Sequence, residues 1–178
     1  MVSGDALETS FSPISPYPLS PILPTIHITN CQKTLPIARR RMRVAVLAIL
    51  RDANVDDAEI SIAIVDDPTI ARLHRQFLDD PDPTDVLSFV LERSEGCLEG
   101  EVVVSADTAK ANAAQYKSTP ADELLRYVIH GALHLVGYDD ATPRQRAAMR
   151  KKEDQYLGKR DDKKFTTGTR RTRRKGKG

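Results

Sequence analysis

The alternation of apolar and polar positions along the chain predicts nine strands and helices between residues 25 and 157. Runs of alternating, β-branched character predict four strands, at residues 25–29, 59–65, 86–91 and 101–104. Helical apolar spacing, alanine content and capping residues predict five helices, at residues 37–50, 67–77, 105–116, 119–136 and 142–157. The order β-α-β-α-β-β-α-α-α predicts a single α+β domain.

The two ends of the chain depart from this pattern. Residues 1–24 contain five prolines interleaved with serines, which excludes a helix or a central strand and predicts a disordered extension. Residues 159–178 combine basic residues with glycine and threonine, a composition that predicts a disordered tail. The predicted domain therefore spans residues 25–158, which is long enough to bury a core of its own.

Composition narrows the class of protein. The chain has 178 residues, and its two cysteines are too few for a disulfide framework or a four-thiolate zinc site. The longest apolar run, Val44–Leu50, is far shorter than the roughly 20 residues that cross a bilayer. Acids and prolines near the N-terminus argue against a secretory signal. We therefore expect a cytoplasmic protein without membrane contact.

The net charge of +2 conceals an uneven distribution. Residues 159–178 hold ten basic residues and two acids, a net charge of +8, which leaves −6 on residues 1–158. Such a tail can bind RNA phosphates without sequence preference. The alternative is a solubilising end with no specific partner.

Two histidines in one predicted helix are the strongest chemical signal. His130 and His134 are separated by one helical turn, so their rings lie on one face and can reach the same metal ion. They point away from the apolar stripe of the helix, which leaves a solvated surface pair as the alternative. Gly137 can take a positive φ and turn the chain back, which makes Asp140 the candidate third ligand and Asp139 its alternative. Three protein ligands are the arrangement of catalytic zinc.

Three sequence blocks resemble the YbeY-type endoribonucleases, the bacterial ribosomal RNA maturation factors. HGALHLVGYDD at residues 130–140 is similar to the family signature HGxLHLxGYDH. PTDVLSF at residues 83–89 matches the family's second block without a substitution, and GEVVVS at residues 100–105 is similar to its G-D-I-x-I-S strand. The blocks follow in the family's order, and the resemblance covers about residues 25–158.

The resemblance implies a zincin-like α+β domain in which a small mixed sheet packs with helices. It implies one Zn²⁺ ion per chain, held by His130, His134 and residue 140, on a helix and the turn after it. The implied activity is cleavage of single-stranded RNA, in 3′-end maturation of small-subunit (16S) ribosomal RNA and in ribosome quality control. The ribosome and its small-subunit RNA are then the expected partners, with the basic tail 159–178 as a phosphate-binding segment.

Two positions depart from the family pattern. The family has a histidine where this chain has Asp140; a carboxylate is an ordinary zinc ligand, but its charge should make the metal a weaker Lewis acid. The family also has an activity-linked arginine five residues before the PTDVLSF block, where this chain has Leu78. Arg75, one helical turn earlier, is the candidate replacement, with a solvated helix-face charge as the alternative.

Three classes of function remain open. The first is a zinc-dependent endoribonuclease, whose candidate catalytic residues are His130, His134 and Arg75. Its possible proton carriers are Asp85, Glu101 and Glu123. The second is a catalytically weak, RNA-binding ribosome-assembly factor with a structural metal. The third is a zinc peptidase, against which Gly131 argues, because that position holds the general base in HExxH proteases.

Overall fold

The computed structural model describes residues 23–79, 84–94 and 96–158. The strands are β1 (Thr25–Asn30), β2 (Asp57–Val65), β3 (Val86–Ser94) and β4 (Cys97–Ser105). The helices are α1 (Arg39–Asp52), α2 (Asp67–Leu78), α3 (Ala106–Tyr116), α4 (Pro120–Leu135) and α5 (Pro143–Leu157). This order confirms the predicted α+β class. The predicted disordered ends, residues 1–24 and 159–178, lie outside the described residues apart from residues 23 and 24.

The four strands form one mixed sheet in the order β1-β2-β4-β3. β1 pairs with β2, and β2 with β4, in parallel, whereas β3 and β4 are antiparallel. Helix α1 supplies the crossover that the parallel pair β1–β2 requires. Along β2, Ile60, Ile62 and Ile64 are almost fully buried, and the residues between them point to the other face of the sheet.

Helices cover the two faces of the sheet unequally. On one face, which we call the α4 face, α1, α3, α4 and α5 contribute to a large core in which Ile49, Val102 and Ile129 are buried. On the other, the α2 face, α2 covers a small cluster of buried residues: Val65, Ile70, Leu87 and Val103. Within the described ranges, no helix is long and apolar enough to cross a membrane.

Strand β4 is longer than the sequence predicted. It begins at Cys97, so that Gly100, which precedes the predicted strand 101–104, lies inside the strand. A Cβ at position 100 would lie 2.9 Å from a side-chain carbon of Leu135 and 3.1 Å from the Phe89 carbonyl oxygen. The glycine therefore marks a close approach of α4 to the sheet, and not a turn.

Helix α2 is capped by Asp66, one residue before the predicted start of the helix at Asp67. The carboxylate of Asp66, and not that of Asp67, accepts a hydrogen bond from the Thr69 backbone N–H, at 3.0 Å. Asp67 instead accepts a hydrogen bond from the Thr108 hydroxyl at 2.7 Å, and so ties α2 to α3. Adjacent aspartates before a proline offer two similar caps, and local sequence could not distinguish them.

Candidate metal centre

Helix α4 carries both candidate histidines and packs closely on the sheet. Its N-cap is Thr119, as predicted, whose hydroxyl accepts from the Asp122 backbone N–H at 3.1 Å. Gly131 faces the sheet, because a Cβ there would lie 2.6 Å from Val102 Cγ1. The missing side chain lets α4 approach β4. It also means that a carboxylate at position 131 would meet the sheet, which supports the argument against an HExxH peptidase.

The turn after α4 brings Asp140 back towards the histidines. Gly137 has a φ of +97°, which glycine adopts without the steric penalty of a Cβ. The Tyr138 N–H donates to the Leu133 carbonyl at 3.0 Å, and the Gly137 N–H to the His134 carbonyl at 2.9 Å. These two bonds form a Schellman motif, and they confirm the chain reversal predicted at Gly137.

The three candidate ligand groups converge within 4.8 Å of one another. His130 Nε2 lies 3.0 Å from His134 Nε2, and oxygens of Asp140 lie 3.8 Å and 3.9 Å from these two nitrogens. Tetrahedral zinc with bonds of about 2.0–2.1 Å separates two ligand atoms by about 3.4 Å. The observed separations bracket that value, so the cluster fits one metal ion after small side-chain shifts.

Hydrogen bonds on the outer nitrogens orient both rings. His130 Nδ1 lies 2.8 Å from Glu153 Oε1, and His134 Nδ1 lies 3.0 Å from the Tyr138 carbonyl oxygen. Because a carboxylate and a carbonyl only accept, each Nδ1 is assigned the proton and each Nε2 lone pair turns to the cluster. Two lone pairs 3.0 Å apart repel unless a proton or a metal cation lies between or beside them. The donor set therefore fits a metal ion.

Glu153 links the cluster to the rest of α4. Its Oε2 accepts from Arg126 Nη1 at 3.0 Å, and the same Nη1 donates to Asp154 at 2.8 Å. Burial opposes ionisation of Glu153, but its hydrogen bonds from His130 and Arg126 outweigh burial and lower its pKa. Burial likewise opposes a charge on His130, but Glu153 and then Asp140 outweigh it and raise the pKa of that ring. The site thus attracts positive charge.

The geometry favours Asp140 over Asp139 as the third ligand. Asp139 Oδ1 accepts from the Asp140 backbone N–H at 2.8 Å, and its Oδ2 accepts from Gln145 Nε2 at 3.1 Å. Gln145 also forms the capping box of α5 with Thr142. Both oxygens of Asp139 are therefore engaged by the turn and by α5, while those of Asp140 face the histidines.

A cavity of about 520 Å³ opens beside His130. Its charged lining comprises four acids, Asp85, Glu123, Asp140 and Glu153, and three arginines, Arg126, Arg146 and Arg150. With His130 neutral, the lining therefore carries one net negative charge, and a divalent cation at the cluster would reverse the sign. The cavity is suited to an anionic ligand once a metal ion is bound.

Comparison with known proteins identifies the family. The family model described as Endoribonuclease YbeY matches residues 27–161. The chain belongs to the endoribonuclease YbeY family. Proteins named Endoribonuclease YbeY from Rhodopirellula baltica and Syntrophotalea carbinolica are 42% and 40% identical to it, over 67% and 64% of this chain. The matches cover 62% and 79% of those relatives, so the chain spans less than two thirds of the Rhodopirellula protein.

A solved structure supports the same assignment. The solution structure of TM1509 from Thermotoga maritima is 28% identical in sequence and superimposes with a TM-score of 0.54. The similarity covers 75% of this chain and 87% of that one. The single α+β domain with a small mixed sheet is therefore the YbeY family fold.

The structure separates the other predicted site residues of this YbeY-family chain. Asp85 and Glu123 line the cavity, whereas Glu101 is exposed on the α2 face of β4. Arg75 is an exposed residue in the last turn of α2 and does not line the cavity. Leu78, at the position of the family arginine, is 55% exposed in the same helix. The structure does not bring Arg75 together with the histidines.

Sequence reasoning missed Glu153 and Arg126. Glu153 lies 23 residues after His130, and no motif spacing connects them. One signal was available, because Met149, Glu153 and Tyr156 follow a helical i, i+4, i+7 pattern. An acid between two core-facing residues of α5 indicates a buried carboxylate with a partner.

Proposed function

We propose that the protein is a zinc-dependent endoribonuclease that cleaves single-stranded RNA at the cluster of His130, His134 and Asp140. The observation that carries this proposal is the convergence of two Nε2 atoms and a carboxylate beside a charged cavity. Membership of a family whose named relatives are endoribonucleases supports the reaction class. Two imidazoles and a carboxylate are also a donor set typical of catalytic zinc.

The residues around the cluster have distinct parts in the proposed reaction. A zinc ion held there would polarise a phosphate oxygen and lower the pKa of a water molecule towards about 7. Glu153 and the Tyr138 carbonyl hold the two rings with Nε2 facing the metal position. Asp85 is the proposed proton carrier, because burial raises the pKa of its carboxyl and it lines the cavity.

Tyr127 supplies a neutral hydrogen-bonding group to the same cavity. Burial raises its pKa to about 12, so its hydroxyl stays protonated at neutral pH. The hydroxyl accepts a hydrogen bond from Asn112 Nδ2 at 2.8 Å, which fixes its position between α3 and α4. The hydroxyl proton is then available to a second partner, and an RNA oxygen in the cavity is a suitable acceptor.

The proposed substrate is small-subunit ribosomal RNA, cut in maturing the 3′ end of 16S RNA and in ribosome quality control. The resemblance of the three sequence blocks supports this biological role, with the ribosome as partner and the cytoplasm as location. The net charge of +8 on residues 159–178 supports the tail as an RNA-binding segment. The domain boundaries at residues 25 and 158 also remain a prediction.

A second function is favoured by the two departures from the family pattern. Asp140 replaces a histidine, and Leu78 replaces the arginine. Both changes reduce positive charge available to a phosphate group. The alternative is therefore an RNA-binding ribosome-assembly factor with weak catalysis and a structural metal.

Metal analysis and cleavage assays on the parent protein and His130→Ala test the proposal. The parent should hold about one zinc ion per chain and cut a labelled single-stranded RNA, whereas the variant should lose both properties. His27→Ala is the matched control, because His27 is an exposed histidine on β1, 3.5 Å from Glu59 and outside the cluster. A zinc-loaded parent that leaves RNA intact would favour the assembly factor, and cleavage of a peptide instead would favour the peptidase.

A further inference from the structure

Two arginines on α5 line the cavity next to the candidate metal centre. Arg146 and Arg150 are four residues apart on the helix, so they lie one turn apart on the same face. Both lie beyond the three sequence blocks that carry the family resemblance. The resemblance to the family motif therefore does not account for these two guanidinium groups.

The three arginines of the cavity differ in how firmly they are held. Arg126 is 19% exposed, and its Nη1 bonds two carboxylates. Arg146 Nη1 donates to the backbone carbonyls of Asp140 and Ala141 at 3.0 Å and 2.9 Å. Arg146 thus holds the segment that carries a candidate ligand, and its replacement would disturb the cluster itself.

Arg150 is the most loosely held of the three. Its side chain is 66% exposed, and its Nη1 lies 3.8 Å from Glu153 Oε2. That oxygen already accepts a hydrogen bond from Arg126 at 3.0 Å. An exposed arginine at this distance from a carboxylate gains little from the contact, so the Arg150 guanidinium can turn to another anion at low cost.

We propose that Arg150 binds a phosphate group of the RNA strand in the cavity beside the candidate metal centre. A planar guanidinium offers two parallel N–H donors that match two phosphate oxygens. Arg150 lines the same cavity as His130 and Asp140, whereas Leu78 and Arg75 lie outside it. The inference rests on the proposed function, because it names a contact to the proposed substrate.

The net charge of the cavity lining depends on Arg150. Four acids and three arginines give the lining a net charge of −1, which a divalent metal ion changes to +1. Removing the charge of Arg150 would bring the lining to neutrality, and the cavity would lose its attraction for phosphate. The basic tail, by contrast, would attract phosphates along the strand without selecting the one beside the metal.

Binding of a fluorescent single-stranded oligoribonucleotide to the zinc-loaded full chain tests the contact. Anisotropy is measured on ice over a range of salt concentrations, with the RNA shown to be intact afterwards. Arg150→Gln should weaken binding roughly tenfold and reduce the slope of log affinity against log salt by about 0.7, the value for one phosphate contact on a single strand. Arg150→Lys should keep the slope but recover only part of the affinity.

Arg144→Gln is the matched control on the same helix. Arg144 is exposed in the first turn of α5 and does not line the cavity, so its replacement should change affinity and slope much less. Zinc content should equal that of the parent in both variants. Parent-like binding by Arg150→Gln, or an equal loss in Arg144→Gln, would overturn the proposal.

A cleavage assay at working temperature, beside the binding measurement, separates this inference from the proposed function. A parent protein that binds zinc and RNA but does not cleave would refute the nuclease, and the change in salt slope would still decide the Arg150 contact. A parent that cleaves, together with unchanged binding by Arg150→Gln, would retain the nuclease and refute the contact.

Discussion

The two faces of the sheet differ in the number of elements that support them. On the α4 face, four helices contribute to one core, and Leu124, Ile129 and Leu133 are almost fully buried. On the α2 face, one helix covers a small cluster, while Phe77 at its end is 58% exposed. The candidate metal centre lies on α4 and α5, and the predicted residue Arg75 lies on α2.

The difference shows which predicted residues have a supporting structure. A metal site needs ligands held to within about 0.5 Å, which packing and hydrogen bonds of neighbouring residues provide. His130 and His134 have such partners in Glu153 and the Tyr138 carbonyl. Arg75 is an exposed side chain in a final helical turn. We therefore expect large functional effects from changes at the α4–α5 site and small ones on α2.

The largest effect is expected from Asp140→Ala. Loss of the only anionic ligand in the cluster should lower zinc affinity by roughly 100-fold or more, above the range for residues that merely orient ligands. Competition with a chelator of known affinity measures it. Asp139→Ala is the control, because the Asp139 oxygens accept from the Asp140 N–H and from Gln145, and this variant should lose far less zinc affinity. Equal losses in the two variants would mean that Asp140 has no special part in binding the metal.

Glu153→Gln should have the next largest effect. The variant keeps the side-chain size but removes the charge beside His130 Nδ1, and zinc affinity should fall about 10- to 100-fold. Asp154→Asn is the matched control, since Asp154 also pairs with Arg126 but is 60% exposed and does not line the cavity. If the two variants bind zinc equally well, Glu153 does not orient the ligand.

Gly131→Ala tests how closely α4 must pack on the sheet. The added Cβ would lie 2.6 Å from Val102 Cγ1, so the free energy of unfolding should fall by about 1–3 kcal/mol. In Gly158→Ala the nearest contact is the Asp154 carbonyl at 3.6 Å, an ordinary separation. Urea denaturation compares both with the parent. A Gly131→Ala protein as stable as the parent would show that the α4 face is less tightly packed than the distances indicate.

Most of the fold could be predicted because its signals are local. Thr119 and Gly137 delimit α4 through caps that depend on adjacent residues alone, and the predicted bounds agree to within a residue or two. The predicted start of β4 was wrong because the reason for a glycine at position 100 is distant in sequence. The glycine accommodates Leu135, which only the folded chain brings near.

The candidate site divides in the same way. His130, His134 and Asp140 lie within eleven residues, so helical spacing and one glycine turn could predict their convergence. Glu153 comes from another helix, and its contact with His130 depends on the packing of α5 against α4. The choice of Arg75 rested on spacing along α2 and could not include the position of that helix across the sheet.

The smallest effect is expected from Arg75→Ala. Because Arg75 is exposed on α2 and does not line the cavity, RNA cleavage should stay within about twofold of the parent, as for surface changes that leave a site intact. Initial rates over a range of RNA concentrations measure the effect, and Arg72→Ala, on an exposed position of the same helix, controls for lost charge. A large loss in Arg75→Ala alone would restore it as a catalytic candidate. It would also mean that bound RNA reaches across to the α2 face, and the functional separation of the two faces would no longer hold.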